Sequence, residues 1–511
     1  MTNSASIQAP TGGWNARDSF DDMKPDDAVV MTNLIPRSGY AESRKGTEQY
    51  CDLGNSLSPS GISTLIPYQN TSLLAAYSVS IYDITDPALP VELFHAGGFN
   101  SSKFQFTAFQ DKVILTNAED VAVSYDGSVL TDLVVTGHPG TWWGCNTFKG
   151  RMYYWDEDAR SFWYTEAGSY QGTVNEFDLS TQLKTGGTLV MMLTWTLDAG
   201  DGVDDLAVFV FSTGETLVYQ GDDPSNFLRW SSSGRFQIGE PLGIRAHQKV
   251  GGTEIILTKD GYVDLAEALK SGRYSEESIY SNKIIRAAKD AARTWGSLFG
   301  WECLLYPAGN LFIVNVPRSD FKAANASNSQ WAIESEQHVR NTSTGSWCKF
   351  NGWQATTFCV WKDDLYFAQG AQVYLADVGS ADNGQPITVT CVPAFNPLGS
   401  PGRRKIVTAA SHVTNFQQPE YLVKDGMADF DVSFVNNVPL SAYGGVAKWN
   451  VSKWNESKWA IGTNQLTNTT KSWSDVYAEG NYITVSLRAM IFGTPFVWYS
   501  STYLYRDIGV M

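Results

Sequence analysis

The sequence predicts an all-β protein. It reads as a β-propeller of about seven blades (six to eight) with a helical insertion, plus a C-terminal β-sandwich-like domain and an extended N-terminal arm. Three observations predict this. Aromatic residues make up 13% of the 511 positions, with 18 Trp and 45 Gly and only 18% charged residues, a composition suited to pleated, half-buried strands and tight turns. Short apolar or alternating stretches recur as hairpins. Anchored on Leu74, Ile114, Tyr153, Phe209, Ile255, Phe312 and Tyr366, the hairpins are spaced 39 to 57 residues apart, the range of a propeller blade. An array of sandwiches is the alternative reading of the same repeat.

Residues 1–50 form the arm. Gly12-Gly13-Trp14-Asn15-Ala16-Arg17-Asp18 is followed by Asp21, Asp22, Asp26 and Asp27, then by Asn33-Leu34-Ile35-Pro36. A glycine pair, a Trp and a Pro predict an extended chain laid over another surface, with Trp14 and Arg17 as interface candidates. Residues 51–384 carry the repeats. Leu73–Tyr77 turns into Ser80–Asp83, Lys112–Leu115 into Val121–Tyr125, and Arg151–Trp155 into Phe162–Tyr164. Leu206–Phe211 then turns into Thr216–Tyr219, Glu254–Leu257 into Tyr262–Val263, and Leu365–Phe367 into Gln372–Leu375, while Leu311–Val316 stands alone. The helical insertion is expected over Glu276–Trp295, where Ile284, Ala288, Ala291 and Trp295 recur at three- and four-residue spacing and Gly296 supplies a stop.

Residues 385–511 form the C-terminal β-rich domain, entered through the Pro- and Gly-rich loop 397–402. Strands are expected at Asp429–Val435, at Tyr482–Arg488 with Ile483, Val485 and Leu487 on one face, and at Phe496–Tyr499. Between them Lys448-Trp449, Lys453-Trp454 and Lys458-Trp459 repeat every five residues. That period gives no single Trp stripe on either a helix or a strand, so the segment reads as a loop. Its indoles either anchor it to its own domain or fill a subunit interface, where Trp is favoured. Arg403-Arg404-Lys405 is the one compact basic run, a solvated loop or a contact with a partner or DNA.

The formal charge is −16, from 37 Lys and Arg against 53 Asp and Glu. That balance argues against holding nucleic acid through its phosphates, which needs a basic surplus. The opening residues have neither a basic n-region nor an apolar h-region, and no apolar run of membrane-spanning length occurs, so no stable membrane insertion is expected. Cys51, Cys145, Cys303, Cys348, Cys359 and Cys391 lie eleven or more residues apart, which predicts buried thiols and not a zinc site. His95, His138, His247, His338 and His412 fit no metal-binding or catalytic spacing, and no nucleophile elbow or phosphate loop is present. Asp198, Asp201, Asp204 and Asp205 match no EF-hand and read as an acidic turn. No enzyme activity, no cofactor and no metal site is expected.

Several stretches resemble the tail nozzle, or tail tubular protein B, family of short-tailed bacteriophages (podoviruses). They are the arm motif Gly12–Asp18 with Asn33–Pro36 and Arg44-Lys45-Gly46; Tyr219–Ser225 with Trp230, Gly234–Gly239 and Pro241–Gly243; Thr258–Gly261; Gln337–Asn341 with Thr344-Gly345, Trp347 and Cys348; and the Trp449/Trp454/Trp459 repeat. The arm alone would also fit a head–tail connector protein. The resemblance implies a structural virion protein. It would form a homo-hexamer ring that closes the distal end of the tail below an adaptor protein, with tail fibres or spikes as further partners. Genomic DNA would pass through during ejection without specific binding, and the protein would reside in the virion tail after assembly in the host cytoplasm. Six copies would carry 6 × −16 = −96 formal charges, which would keep DNA from adhering to a channel wall. The competing reading is a receptor- or carbohydrate-binding propeller of the tail, a depolymerase among its forms, with aromatic loops stacking on sugars.

Overall fold

The computed structural model describes residues 2–54, 61–198, 203–271, 279–319, 322–324, 330–332, 334–399, 401–415, 422–434 and 469–510. Seven small antiparallel sheets follow one another around a ring. Blade I consists of Ile62–Tyr68, Ser72–Tyr77, Ser80–Asp83 and Val91–Leu93; blade II of Gln105–Phe109, Lys112–Thr116, Val123–Tyr125 and Leu130–Asp132. Blade III holds Gly144–Phe148, Arg151–Trp155, Ser161–Tyr164 and Asn175–Asp178, and blade IV holds Leu189–Asp198, Val203–Phe211, Glu215–Gly221 and Trp230–Gln237. Blade V has three strands, His247–Val250, Thr253–Thr258 and Gly261–Asp264, with helix Leu265–Ser271 packed beside them. Blade VI is Glu302–Tyr306, Leu311–Pro317, Ser335–Asn341 and Trp347–Phe350. Blade VII is Thr357–Trp361, Asp364–Gln369 and Gln372–Val378, completed on its outside by Gly46–Asp52 from the N-terminal end.

The strands read as apolar runs because both faces of each blade are buried. In blade III, Met152 and Tyr154 pack toward blade II while Tyr153 and Trp155 pack toward blade IV. In blade IV, Ala207, Phe209 and Phe211 face blade III, and Val208 and Val210 face blade V. Successive side chains point to opposite faces, so one run supplies two seams. Tight left-handed turns close the inner hairpins: Lys149 and Gly150 (φ 47° and 73°) in blade III, Lys362 and Asp363 (52° and 65°) in blade VII. The ring shuts between blades VII and I. There Thr356 Oγ1 donates to the Ile62 carbonyl at 2.6 Å, and Cys359, Trp361 and Val373 pack with Ile62, Leu65 and Ala75.

Blade VI does not end at its fourth strand. Gly13–Trp14 and Asp27–Thr32 pair parallel with Trp347–Phe350, and the sheet runs on through Ile387–Pro393, Ile483–Ile491 and Leu422–Ala428 to nine strands. A second sheet orders Leu34–Arg37, Tyr40–Ser43, Val497–Val510, Arg403–Asn415 and Thr470–Gly480, with Asn3–Gln8 also on Val497–Val510. The two sheets share a core of Val407, Ala410 and Tyr503 against Ile483 and Val485, the sandwich-like second body.

Four expectations need correction. Residues 1–50 are extended but do not form a separate arm: they supply strands to both sheets and begin the strand that completes blade VII. Arg403, Arg404 and Lys405 open strand Arg403–Asn415 and are not a loop. The helix starts later than expected: a 3-10 turn Asn282–Ile284 leads into Ile285–Trp295, which ends as Gly296 N–H bonds the Ala292 carbonyl, and Glu276–Ser278 lie outside the described residues. At Asp429 the expected strand is a turn. Asp429 and Phe430 have φ of 48° and 71°, the Asp429 carboxylate accepts the N–H groups of Asn481 and Tyr482, and Phe430 packs against Phe20, Phe395 and Tyr482.

Candidate functional site

The joint between the two bodies contains the residues of the arm motif. A Cβ on Gly12 would stand 2.2 Å from Asp27 Oδ1, and one on Gly13 would stand 2.5 Å from the Trp347 carbonyl oxygen. Gly13 also has φ +81°, so only glycine fits. Trp14 is 8% exposed and meets His338 edge-on, ring centroids 5.3 Å apart, with Lys349 Nζ 5.5 Å from the indole centroid. Asn15 organises the turn. Its Oδ1 accepts the N–H groups of Arg17 and Asp18 at 3.0 and 3.1 Å, and its Nδ2 donates to Asp18 at 2.8 Å and Asp27 at 2.7 Å. Lys283, just before the helix, donates to the Gly12 carbonyl at 2.6 Å and pairs with Asp27. A cleft of about 500 Å³ opens beside this turn, lined by Arg17, Asp18, Lys24, Tyr280, Lys283 and Arg340 among others.

Behind Trp14 lies a buried polar chain. The Tyr262 hydroxyl is 2.8 Å from His338 Nδ1, and His338 Nε2 is 3.6 Å from Glu336. Burial pushes the His338 imidazole below its ordinary value, against the opposing pull of Glu336. Burial acts to raise Glu336, but the His338 hydrogen bond and the charges of Lys349 and Arg318 outweigh it and hold the carboxyl at about 2.

Arg44 fastens the other end of the joint. Its buried guanidinium donates to Asp382 through Nη1 at 2.8 Å and Nη2 at 2.5 Å, to Asn33 Oδ1 at 2.9 Å and to the Asn351 carbonyl at 2.9 Å. The plane lies 5.1 Å from the Trp353 ring centroid. A planar fork with all these acceptors, stacked on an aromatic ring, is a role Lys cannot reproduce.

The propeller axis is closed at one end. Arg245, two residues before the innermost strand of blade V, donates to the Ser63 carbonyl at 2.8 Å, Thr64 Oγ1 at 2.7 Å and the Phe104 carbonyl at 2.7 Å. Those acceptors belong to the starts of blades I and II, which are not neighbours of blade V, so the side chain crosses the central opening. Glu302 of blade VI stands 3.8 Å away as its counter-charge, and Phe299 lies beneath the guanidinium at 5.2 Å. Burial raises the Glu302 carboxyl and lowers the Arg245 guanidinium; each partner's charge opposes the shift of the other. Further along the innermost strand of blade II, Phe106 and Ala108 remain exposed.

Of the predicted interface residues, Trp14 lies inside its own chain, where no neighbour can reach it without opening the joint. Arg17 sits at the cleft rim, bonded to Asp18 at 2.7 Å. Arg403 and Arg404 are exposed at the far end of the second body, Arg404 paired with Glu479 at 3.1 Å. Trp449, Trp454 and Trp459 lie outside the described residues, as does Asp201 of the acidic turn, whose Asp205 pairs with Lys149 at 2.9 Å. All six cysteines are buried free thiols. Arg245 and Glu302 carried no local signal, because their partners are remote in sequence. Among the described residues, no group of three His, Cys, Asp or Glu stands close enough to hold a metal ion, and no helix is long and apolar enough to cross a membrane.

No family model matches the chain, and no curated protein matches it. Among solved structures, one titled as a streptogramin B lyase is 10% identical and covers 64% of this chain and 96% of its own, with a TM-score of 0.41. The computationally designed Ika8 protein is 11% identical, covering 68% and 96%, TM-score 0.37. YCF48 bound to a D1 peptide is 8% identical, covering 67% and 96%, TM-score 0.36. At these identities and scores none of them bears on what this chain binds or does.

Proposed function

We propose that this chain is a structural subunit of a short-tailed phage virion: a tail nozzle whose copies form a hexameric ring around a DNA ejection channel beneath an adaptor protein. The observation that carries the reading is the composition of the joint. Gly12, Gly13, Trp14, Asn15, Asp18, Asn33, Arg44, His338, Asn341 and Trp347 all come from the stretches that resemble the nozzle family, and they fasten propeller and sandwich into one body. Asn341 Nδ2, for example, donates to the Pro36 carbonyl at 2.8 Å. A rigid two-part block suits a ring wall that carries load. With the propeller axis blocked by Arg245, DNA would travel between the copies and not through a blade ring. Acidic walls would then repel the phosphates.

Native mass spectrometry of the chain co-expressed with the adaptor-ring protein tests this. The expected species is six copies bound to the adaptor ring. A chain that stays monomeric and never joins the adaptor ring overturns the reading, and a specific glycan-array signal from that monomer favours the sugar-binding alternative.

A further inference from the structure

The outer edges of the blades differ in how they are guarded. Blade III ends on Asn175, Glu176 and Asp178, blade IV on Ser231, Ser232, Ser233, Arg235 and Gln237, and blade VII on Glu48 and Gln49. Thr131 and Asp132 cover the edge of blade II. A helix flanks blade V, and the joint continues blade VI. Polar or covered edges are the usual defence against an added strand. Blade I carries Val91, 52% exposed, within its outer strand and Phe94, 83% exposed, directly after it, whereas the exposed Val134, Phe227 and Leu228 lie outside the outer strands of blades II and IV.

A groove of about 400 Å³ runs beside that edge, lined by Val79, Glu92, Leu93, Phe94 and Gly98 among others. Its floor is preformed. His95 stacks on Phe99 with ring centroids 4.1 Å apart, its Nε2 is 2.9 Å from Asp132, and the Phe99 N–H bonds the Val79 carbonyl at 2.8 Å. Among the described residues Val91–Leu93 pairs only with Ser80–Asp83, so alternate N–H and C=O groups point outward. Two carboxylates stand at this rim, Glu92 on the edge strand and Asp132 beside His95.

We propose that the outer edge of blade I receives an extended segment of a protein partner as an added strand, apolar at alternate positions and basic between them. Backbone bonds to Val91–Leu93 align it, an apolar side chain enters the groove beside Phe94, and Lys or Arg faces Glu92 and Asp132. Because the groove is fixed by His95 and Phe99, little ordering accompanies docking. The inference stands apart from the ring reading, since any partner tail of this chemistry would fit.

The test uses the full chain and a fluorescein-labelled decapeptide of alternating Val and Lys. Anisotropy should report saturable binding, and hydrogen exchange should slow at the amides of Val91–Phe94. Phe94→Asp should weaken binding about tenfold or more, as should proline at the alternate Val positions, which removes donors and the extended pairing. Glu92→Lys should shift preference toward a Val–Glu peptide. These side chains are exposed, so folding is expected to survive each change. Equal binding by wild type and Phe94→Asp, or by the proline peptide, overturns the proposal. So does absence of peptide binding together with a self-association that Phe94→Asp abolishes, which assigns the edge to a second copy.

Discussion

The seams between blades and the joint between bodies are held by different physics. A seam such as III–IV is a stack of rings: Phe162 lies parallel to Phe209 with centroids 4.8 Å apart, and Tyr219 stacks on Trp230 at 5.3 Å. The joint is a polar network around Arg44, Asn15, Asp27, Lys283 and His338, in which nearly every buried charge has a directional partner. Apolar seams tolerate small shifts; a network of hydrogen bonds fixes one arrangement and costs heavily when a member is lost. The propeller is thus built from interchangeable contacts, and the attachment of the second body from contacts that admit no substitute.

That contrast can be broken or sharpened in order of expected effect. Arg44→Ala should cost about 3–5 kcal/mol, because it leaves Asp382 and Asn33 facing an empty buried site. Chemical denaturation should show it, and Arg44→Lys should recover little. Phe162→Ala should also cost about 3–5 kcal/mol, but Phe162→Leu should regain most of that loss, unlike the Arg–Lys pair. Gly13→Ala should destabilise by roughly 1–3 kcal/mol, from its φ of +81° and the clash with the Trp347 carbonyl.

Acid should act on both regions, through different sets of groups. Burial lowers His412, inside the second body, from its ordinary 6.5 to about 3, so its contribution is full above pH 6.5 and is lost as pH falls toward 3. Glu336 at the joint is lowered from 4.5 to about 2, so its contribution is lost only between those values. Stability measured against pH should therefore begin to fall below 6.5 in wild type, and His412→Gln should make that first slope shallower, with His338 supplying what remains, while leaving the one below 4.5. The smallest effect belongs to Arg404→Ala, whose exposed pair with Glu479 should change stability by less than about 1 kcal/mol.

The blades were legible in the sequence because each run is buried on both faces, so apolar residues crowd positions such as Met152–Trp155 whatever the partner. The closing strand Gly46–Asp52 was not, since it pairs with Gln372–Val378 across more than three hundred residues. The pattern Asp429-Phe430-Asp431-Val432 alternates like a strand, but Phe430 is claimed by an aromatic cluster with Phe20 and Phe395 that no local period reveals. Trp14 was misplaced for the same reason. A Trp beside two glycines reads as an interface residue until His338 and Trp347 are brought up to it by the fold.

Differential scanning calorimetry on wild type and Arg44→Ala tests most directly the claim that the N-terminal joint makes one body of the propeller and the sandwich. Wild type should unfold in a single cooperative transition, and Arg44→Ala should split it into two, the sandwich melting first. Two transitions in wild type, or a single transition merely shifted in Arg44→Ala, would contradict it.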